Sequence, residues 1–503
     1  MAATNVSTEE ILSAVDAIQN EAIDFLKTIV SIDSTLEKGE GEVQSTIYDH
    51  LIQVLGATAA GDEDGAAPTS GGDGVGAKRK RSNNAFEVQR IPVQLNKIKD
   101  KKGFSPVDWK YDDDQKFDVV ARYQGTNDDD GSERALLLQG HVDVVPAAES
   151  DGWTSPPFSP VIKEGRMYGR GSGDMKAGVV AMIYALVALK KMGYVPKGSV
   201  TICTVIEEEC TGNGALAAPL HSLVPSSSGP HTKTAVIIPE PFPFITTAQM
   251  GVIWFRASIT GKPCHVLQTS AGSNAIEGAY ALYSELKVLE EKYNEPKGNA
   301  HPAFKGMDHP VNFNLGKIEG GNWASSVPSS CWFEARVGFF PGVEIKDVKK
   351  DVESTLHEAA KKMGLGLEIS YRGFHADGAV LLLEYLDGKR EAPAGDGSEA
   401  TLQKEFVETI QKCHGLASTS NCDKDASESE LALKPITCTC DARFYSSLYQ
   451  DPKKVVVTCY GPESTNIHGV DESVSLESVR DVTATIALFI RDWCGLVKEK
   501  DGY

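Results

Sequence analysis

Short apolar, β-branched runs alternate with helical stretches through the first half of this chain, and that alternation leaves few folds open. DVVARY (118–123) and ALLLQG (135–140) read as strands. GVVAMIYALVALKKM (178–192) reads as a helix whose apolar face is wide enough to be largely buried. SVTICTVIEE (199–208) and TAVIIPE (234–240) are runs of the kind found in the middle of a covered sheet. The pattern predicts an α/β domain with a mixed, mostly parallel sheet covered by helices. In such folds ligands bind where strands end. Ahead of it, Ser7-Thr8-Glu9-Glu10 reads as a capping box. Ile11, Leu12, Val15, Ile18, Ala22, Ile23, Leu26 and Val30 follow at helical spacing.

A second pattern begins near Gly251. VIWFRASITG is a strand, Ser273 to Glu291 a helix, VNFNLGKIEGG and SSCWFEARVGF strands, and Ile345 to Met363 a helix. That β-α-β-β-α order predicts a small α+β sandwich of helices on an antiparallel sheet. PITCTCDARFY and KKVVVTCYG then supply strands and Leu476 to Lys498 a last helix. The 503 residues exceed the usual limit of a single core, so two domains are expected. The expected division is 1–250 and 373–503 for the first domain, with 251–372 inserted between. Residues 60–84, rich in Gly, Ala, Ser and Asp and without apolar anchors, read as a disordered insertion. Its Lys78-Arg79-Lys80-Arg81 run reads as solvated charge rather than a nuclear signal.

Lys+Arg 50 against Asp+Glu 70 gives a net charge of −20, which argues against nucleic acid or an anionic membrane as partner. The cysteines are scattered, several of them in apolar runs (Cys203, Cys459), as reduced structural thiols of a cytoplasmic protein are. The N-terminal stretch carries acids through its apolar residues and is not a signal peptide. No apolar run approaches the length of a membrane span.

Five possible metal ligands stand mostly at the ends of apolar runs: His141, Asp174, Glu209, Glu240 and His468. Singly each is weak. His141-x-Asp143 places two side chains on one face of an extended segment, where Asp143 can orient the imidazole; it can also merely end a strand. Asp174 lies among glycines at the start of an apolar helix, where it can bridge two cations or cap the helix. Glu207-Glu208-Glu209 follows a buried strand, and three adjacent acids need a solvated turn or a cation to offset their repulsion. Glu240 between two prolines and His468 in a loop read, alone, as turn and surface residues. Together, two imidazoles, three carboxylates and a spare carboxylate, Glu208, suit a two-zinc hydrolase in which the spare acid moves the proton.

GHVDVVP, GRGSGDMKAG, EEECTGNGA, PEP and the late His-Gly also carry a family likeness. In order and spacing they resemble the co-catalytic zinc amidohydrolases that include acetylornithine deacetylase, succinyl-diaminopimelate desuccinylase, aminoacylase and glutamate carboxypeptidase. The likeness runs from about Ile23 to the end of the chain. It implies that His141 and Glu240 hold one zinc, that Glu209 and His468 hold the other, and that Asp174 bridges. It implies Glu208 as general base and acid, Asp143 as support for His141, and a cis peptide at Asp174-Met175. The inserted unit resembles the family's lid and dimerisation domain. There Gly261-Lys262-Pro263-Cys264-His265 resembles the segment whose His stabilises the oxyanion, often across a dimer. Asn274, in Gly-Ser-Asn-Ala-Ile, and Arg336 stand where the family binds substrate, Arg336 at its carboxylate. Ser325-Ser326-Val327-Pro328 departs from the family's Asn before Val-Pro.

The activity implied is hydrolysis of the amide of an N-acyl amino acid or N-acyl amine, a small molecule, by an acetylornithine deacetylase-like cytoplasmic homodimer. Two divalent metal ions are implied: zinc first, with Co2+ or Mn2+ suiting the same ligands. An N-formyl-aminopyrimidine deformylase, a desuccinylase or a dipeptidase would use the same site. A binding protein on a decayed hydrolase fold would have lost a ligand or the base, and none is lost.

Overall fold

The first helix starts where its cap requires. In the computed structural model the Ser7 hydroxyl accepts the Glu10 N–H and the Glu10 carboxylate accepts the Ser7 N–H, which opens α1 (Thr8–Val30) with the expected capping box. The structure describes residues 6–59, 86–110, 115–125, 134–147, 149–218, 233–295, 301–386, 401–418, 431–448 and 453–499. The expectations for 60–84 and its basic run lie outside the described residues.

Short helical turns and the short strands outside the two main sheets aside, α2 (Gly41–Leu55) leads to β1 (Thr58–Ala59), β2 (Glu87–Pro92), β3 (Phe117–Tyr123) and β4 (Arg134–His141). Then come α3 (Ala177–Lys191), β5 (Ser199–Val205), β6 (Lys233–Ile238) and β7 (Ile245–Gln249). β8 (Gly251–Thr260), α4 (Ala275–Asn294), β9 (Phe313–Gly320), β10 (Ser330–Phe339), α5 (Ile345–Lys362) and β11 (Gly366–Ala376) follow. The chain closes with α6 (Leu402–Ala417), α7 (Ala442–Leu448), β12 (Val455–Cys459) and α8 (Leu476–Phe489).

The large sheet has the order β1-β2-β3-β5-β4-β6-β12. β4 runs parallel to β5 and β6, and β6 parallel to β12, while β3 is antiparallel to both neighbours. The central strands are buried along almost their whole length, which is why they read as unbroken apolar runs rather than alternating ones. α3 packs against α1 and α8, and every residue from Ala177 to Leu189 is buried. The helical run Ser172–Lys191, 20 residues, does reach membrane-spanning length, contrary to expectation, but 94% of its apolar window is buried inside the protein. It is a core helix.

The second layer is a four-stranded antiparallel sheet in the order β9-β10-β8-β11, with α4 and α5 packed on it. Phe255, Phe333, Leu282, Leu286 and Leu356 form a core distinct from that of the large sheet. β11 continues to Ala376, past residue 372.

Three expectations need correction. The run 199–208 leaves the strand at Val205, so Ile206 to Glu208 belong to a turn. PITCTCDARFY is not one strand: Leu433–Ile436 pairs with β7, and Ala442 begins a helix. The chain turns there because buried Asp441 takes the Gln139 amide and its carbonyl accepts the Phe444 N–H at 3.0 Å. The last helix ends at Phe489, after which one wider turn runs to Cys494 and Leu496–Lys498 pairs with Tyr194–Pro196.

Candidate metal centre

β4 ends on His141 and β5 lies beside it, so His141 and the acid turn after Val205 leave the same sheet end. β6 ends two residues before Glu240 on the other side of β4. Asp174 sits in the irregular turn ahead of α3, with non-helical angles and a cis Asp174-Met175 peptide, as the family likeness implied. Its N–H donates to the Glu472 carboxylate at 3.0 Å, so the turn is held from outside; the N-cap of α3 is Lys176, with no side-chain cap bond. His468 lies in a loop before α8, at φ 62, a left-handed conformation uncommon for a residue with a side chain.

These five side chains converge. His141 Nε2 is 3.1 Å from Asp174 Oδ1 and 3.9 Å from Glu240 Oε2. His468 Nε2 is 3.4 Å from Asp174 Oδ2 and 2.9 Å from Glu209 Oε1. Asp174 thus turns one oxygen to each imidazole, and each imidazole has a second carboxylate of its own. Within each trio, the donor atoms lie within 4.8 Å of one another. Two sets of one nitrogen and two carboxylate groups, sharing Asp174, fit two divalent cations.

The surroundings orient the ligands. His141 Nδ1 lies 3.0 Å from the Asp143 carbonyl and 3.5 Å from its carboxylate, which leaves Nε2 to face the cluster. The Asp143 carboxylate also accepts the N–H groups of Glu208 and Glu209 at 3.0 and 2.9 Å. Burial lowers the affinity of His141 for a proton, yet Asp143 and Asp174 outweigh it and hold the imidazole well above its usual range. Glu209, the largest influence, pushes His468 up to about 11. A cation between these groups would replace those protons.

Glu208 is buried, and its Oε1 has no hydrogen-bond partner. Burial first, then Asp441, holds its carboxyl well above the carboxylate range. Arg336 on β10 donates to the Asn312 carbonyl at 3.2 Å and to the Thr437 carbonyl at 3.4 Å, so it ties the second layer to the segment before Cys438. His265 and Asn274 are not drawn into the cluster. His265 is exposed on the second layer, with Nδ1 accepting the Leu267 N–H at 3.1 Å. Asn274 caps α4 by accepting the Ile276 and Glu277 N–H groups.

Two groups carried no sequence signal. Glu472, fully buried, accepts the Gly173 and Asp174 N–H groups on one oxygen and Arg170 on the other. It sits beside an ordinary Asp in an unremarkable run. Gln139 bridges Asp441 and Tyr445, which lie 302 and 306 positions further along, in a buried chain, and Asp441 acts on Glu208 through its charge.

Solved structures share the architecture. The yeast (Saccharomyces cerevisiae) di-peptidase Dug1p superposes with a TM-score of 0.68 at 13% identity, covering 97% of this chain and 98% of that one. Human carnosine dipeptidase 1 gives 0.66 at 15% identity, over 97% and 100%. In sequence, a probable succinyl-diaminopimelate desuccinylase of Staphylococcus aureus (strain Mu50 / ATCC 700699) is 28% identical over 263 residues, 48% of this chain. The chain spans only 64% of the length of that relative. The N-formyl-4-amino-5-aminomethyl-2-methylpyrimidine deformylase of Bacillus subtilis (strain 168) is 25% identical over 397 residues, 76% of this chain and 84% of that protein. The sequence profile of peptidase family M20/M25/M40 matches residues 137–492, well over half of the chain, and with that match the protein belongs to this family.

Proposed function

We propose that this protein is a dinuclear metal amidohydrolase that cleaves the amide bond of an N-acylated amino acid or amine. The observation that carries the reading is Asp174, which offers one oxygen to the His141–Glu240 side and the other to the His468–Glu209 side. Two divalent cations bound there would acidify a water molecule and polarise the substrate carbonyl. Zinc is the metal we assign, since two imidazoles and carboxylates make up its usual catalytic donor set. Glu208 takes the proton of the attacking water and hands it to the leaving nitrogen; its buried, unpartnered Oε1 supports that role. Asp143 keeps His141 in register. Arg336 takes the substrate carboxylate, Asn274 is a further substrate contact, and His265, brought over the centre from the second layer, supports the developing oxyanion.

The substrate class is amino-acid related, in the style of acetylornithine deacetylase in arginine biosynthesis, in a cytoplasmic enzyme that pairs through its second layer. Exposed Leu267, Tyr280 and Trp323, at 85%, 60% and 72%, support a covered surface there. A second reading, removal of a formyl group from an aminopyrimidine, is supported by the deformylase relative, whose similarity extends over 76% of this chain.

The test is a panel of N-acetyl, N-succinyl and N-formyl substrates with added Zn2+ or Co2+. Release of one acid identifies the acyl group, and no release from any would end the proposal. Glu208→Ala should keep its metal and lose turnover by at least about 100-fold, at the lower end of general acid–base contributions. Full activity in that variant would remove Glu208 from the mechanism.

A further inference from the structure

The segment from Gly103 to Asp108 crosses from the large sheet to the second layer, and one buried residue in it grips both. Ser105 is fully buried. Its hydroxyl donates to the Thr211 carbonyl at 2.8 Å and accepts the His375 N–H at 3.1 Å. Its own N–H donates to Asn213 Oδ1 at 3.1 Å, and its carbonyl accepts from Asn213 Nδ2 at 2.9 Å. Thr211 and Asn213 close the turn that carries Glu208 and Glu209: the Thr211 and Gly212 N–H groups both donate to the Glu207 carbonyl. His375 lies in β11, the last strand of the second layer.

Neighbouring contacts repeat the link. The Gly373 N–H donates to the Pro106 carbonyl at 2.8 Å, and Arg372 pairs with Asp108 at 2.8 Å. A Cβ on Gly373 would stand 3.2 Å from the Cys210 carbonyl, so β11 and the acid turn have no slack between them. Asp143 fixes the Glu208–Glu209 end of that turn, and Ser105 fixes the other.

We propose that Ser105 is a positioning residue that holds the Glu208–Glu209 turn in one register with the second layer. The inference rests on the reading of Glu208 as proton carrier and Glu209 as metal ligand. A single hydroxyl that donates to one element and accepts from the other moves with both. Without it, the buried Thr211 carbonyl and His375 N–H lose a shared partner and the turn loosens relative to any group the second layer carries over the metals.

The experiment compares full-length, zinc-loaded Ser105→Ala and Ser105→Thr with the parent protein, on whichever of the N-acetyl, N-formyl or N-succinyl amino acids the parent cleaves best. Kinetics, bound metal, melting temperature and peptide-resolved amide hydrogen exchange are read together. Ser105→Ala should keep its metal, keep KM within about twofold and lose kcat by about tenfold or more, because small misplacements of a reacting group are expensive in rate. Exchange should quicken in 207–213 and 373–376 together, and Ser105→Thr should restore both. An unchanged kcat, a loss that merely tracks lost metal, or faster exchange in only one segment would overturn the inference. If Ser105→Thr does not fold, the paired exchange in Ser105→Ala decides. Glu208→Ala is run alongside. Activity retained there overturns the functional reading, whereas an inert Glu208→Ala beside an unimpaired Ser105→Ala overturns only this inference.

Discussion

Glu207, Glu208 and Glu209 are neighbours in the chain and end in three different surroundings. Glu207, at φ 61, turns into the protein, where Lys116 Nζ meets it at 2.9 Å and the Thr211 hydroxyl donates to it at 2.9 Å. Lys116 also holds Glu40 at 2.7 Å, with both acids fully buried. Glu208 stays buried with a free oxygen, and Glu209 meets His468. Lys116→Met would strand two buried carboxylates and should cost about 3–5 kcal/mol, read from the urea midpoint at constant slope. A shift under about 1 kcal/mol, the scale of an exposed pair, would mean the acids had never relied on it. That the triplet's repulsion must be offset was legible in sequence. Lys116 was not, because no local spacing marks a partner that arrives from another strand's approach. His50 offers a separate prediction. It stacks on Phe25 with ring centroids 3.6 Å apart, and burial pulls its pKa from 6.5 to about 4. Between those values the unfolded chain binds a proton that the folded chain refuses, so stability falls as pH drops through that window. His50→Gln should flatten the acid limb of a plot of melting temperature against pH; parallel limbs would refute the assignment.

At the scale of elements, the turn after β6 is squeezed from two sides. A Cβ on Gly178, in the first turn of α3, would lie 1.9 Å from the Pro239 carbonyl. A Cβ on Gly461, just past β12, would lie 2.2 Å from the Glu240 carbonyl. Gly178→Ala or Gly461→Ala must therefore push Glu240 away from His141. Each should cost about 1–3 kcal/mol and weaken one metal site before the other, which metal analysis on serial dilution would detect. Equal retention of both metals would show that the turn yields without moving the carboxylate. The strands that frame the site were legible because burial on both faces makes them continuous apolar runs. The break inside PITCTCDARFY was not, since its alternation continues up to Asp441, whose buried bond to Gln139 turns the chain.

Across the whole molecule, three carboxylates and two imidazoles are brought together from several separate elements. Cations that bind only the folded form add RT ln(1 + [L]/Kd) to its stability, about 2.7 kcal/mol at a hundredfold excess over Kd. Chelation should lower the melting temperature and added Zn2+ restore it. An unchanged melting temperature after complete metal removal would mean the cluster tolerates its own charge. The two-layer architecture was legible from the order of runs. The placement of His265 was not: its motif marks a loop on the second layer, while the distance from that loop to the centre depends on how the layers stand. The order of ligands along the chain carries one more consequence. His141, Asp174 and Glu240 all precede the second layer, and His468 follows it. The residues of the first trio have all been made while half of the chain is still to come, but Glu472, which holds the Asp174 turn, has not. The second trio must wait for His468, near the end of the chain, so under the proposed metal assignment its site is completed after the first.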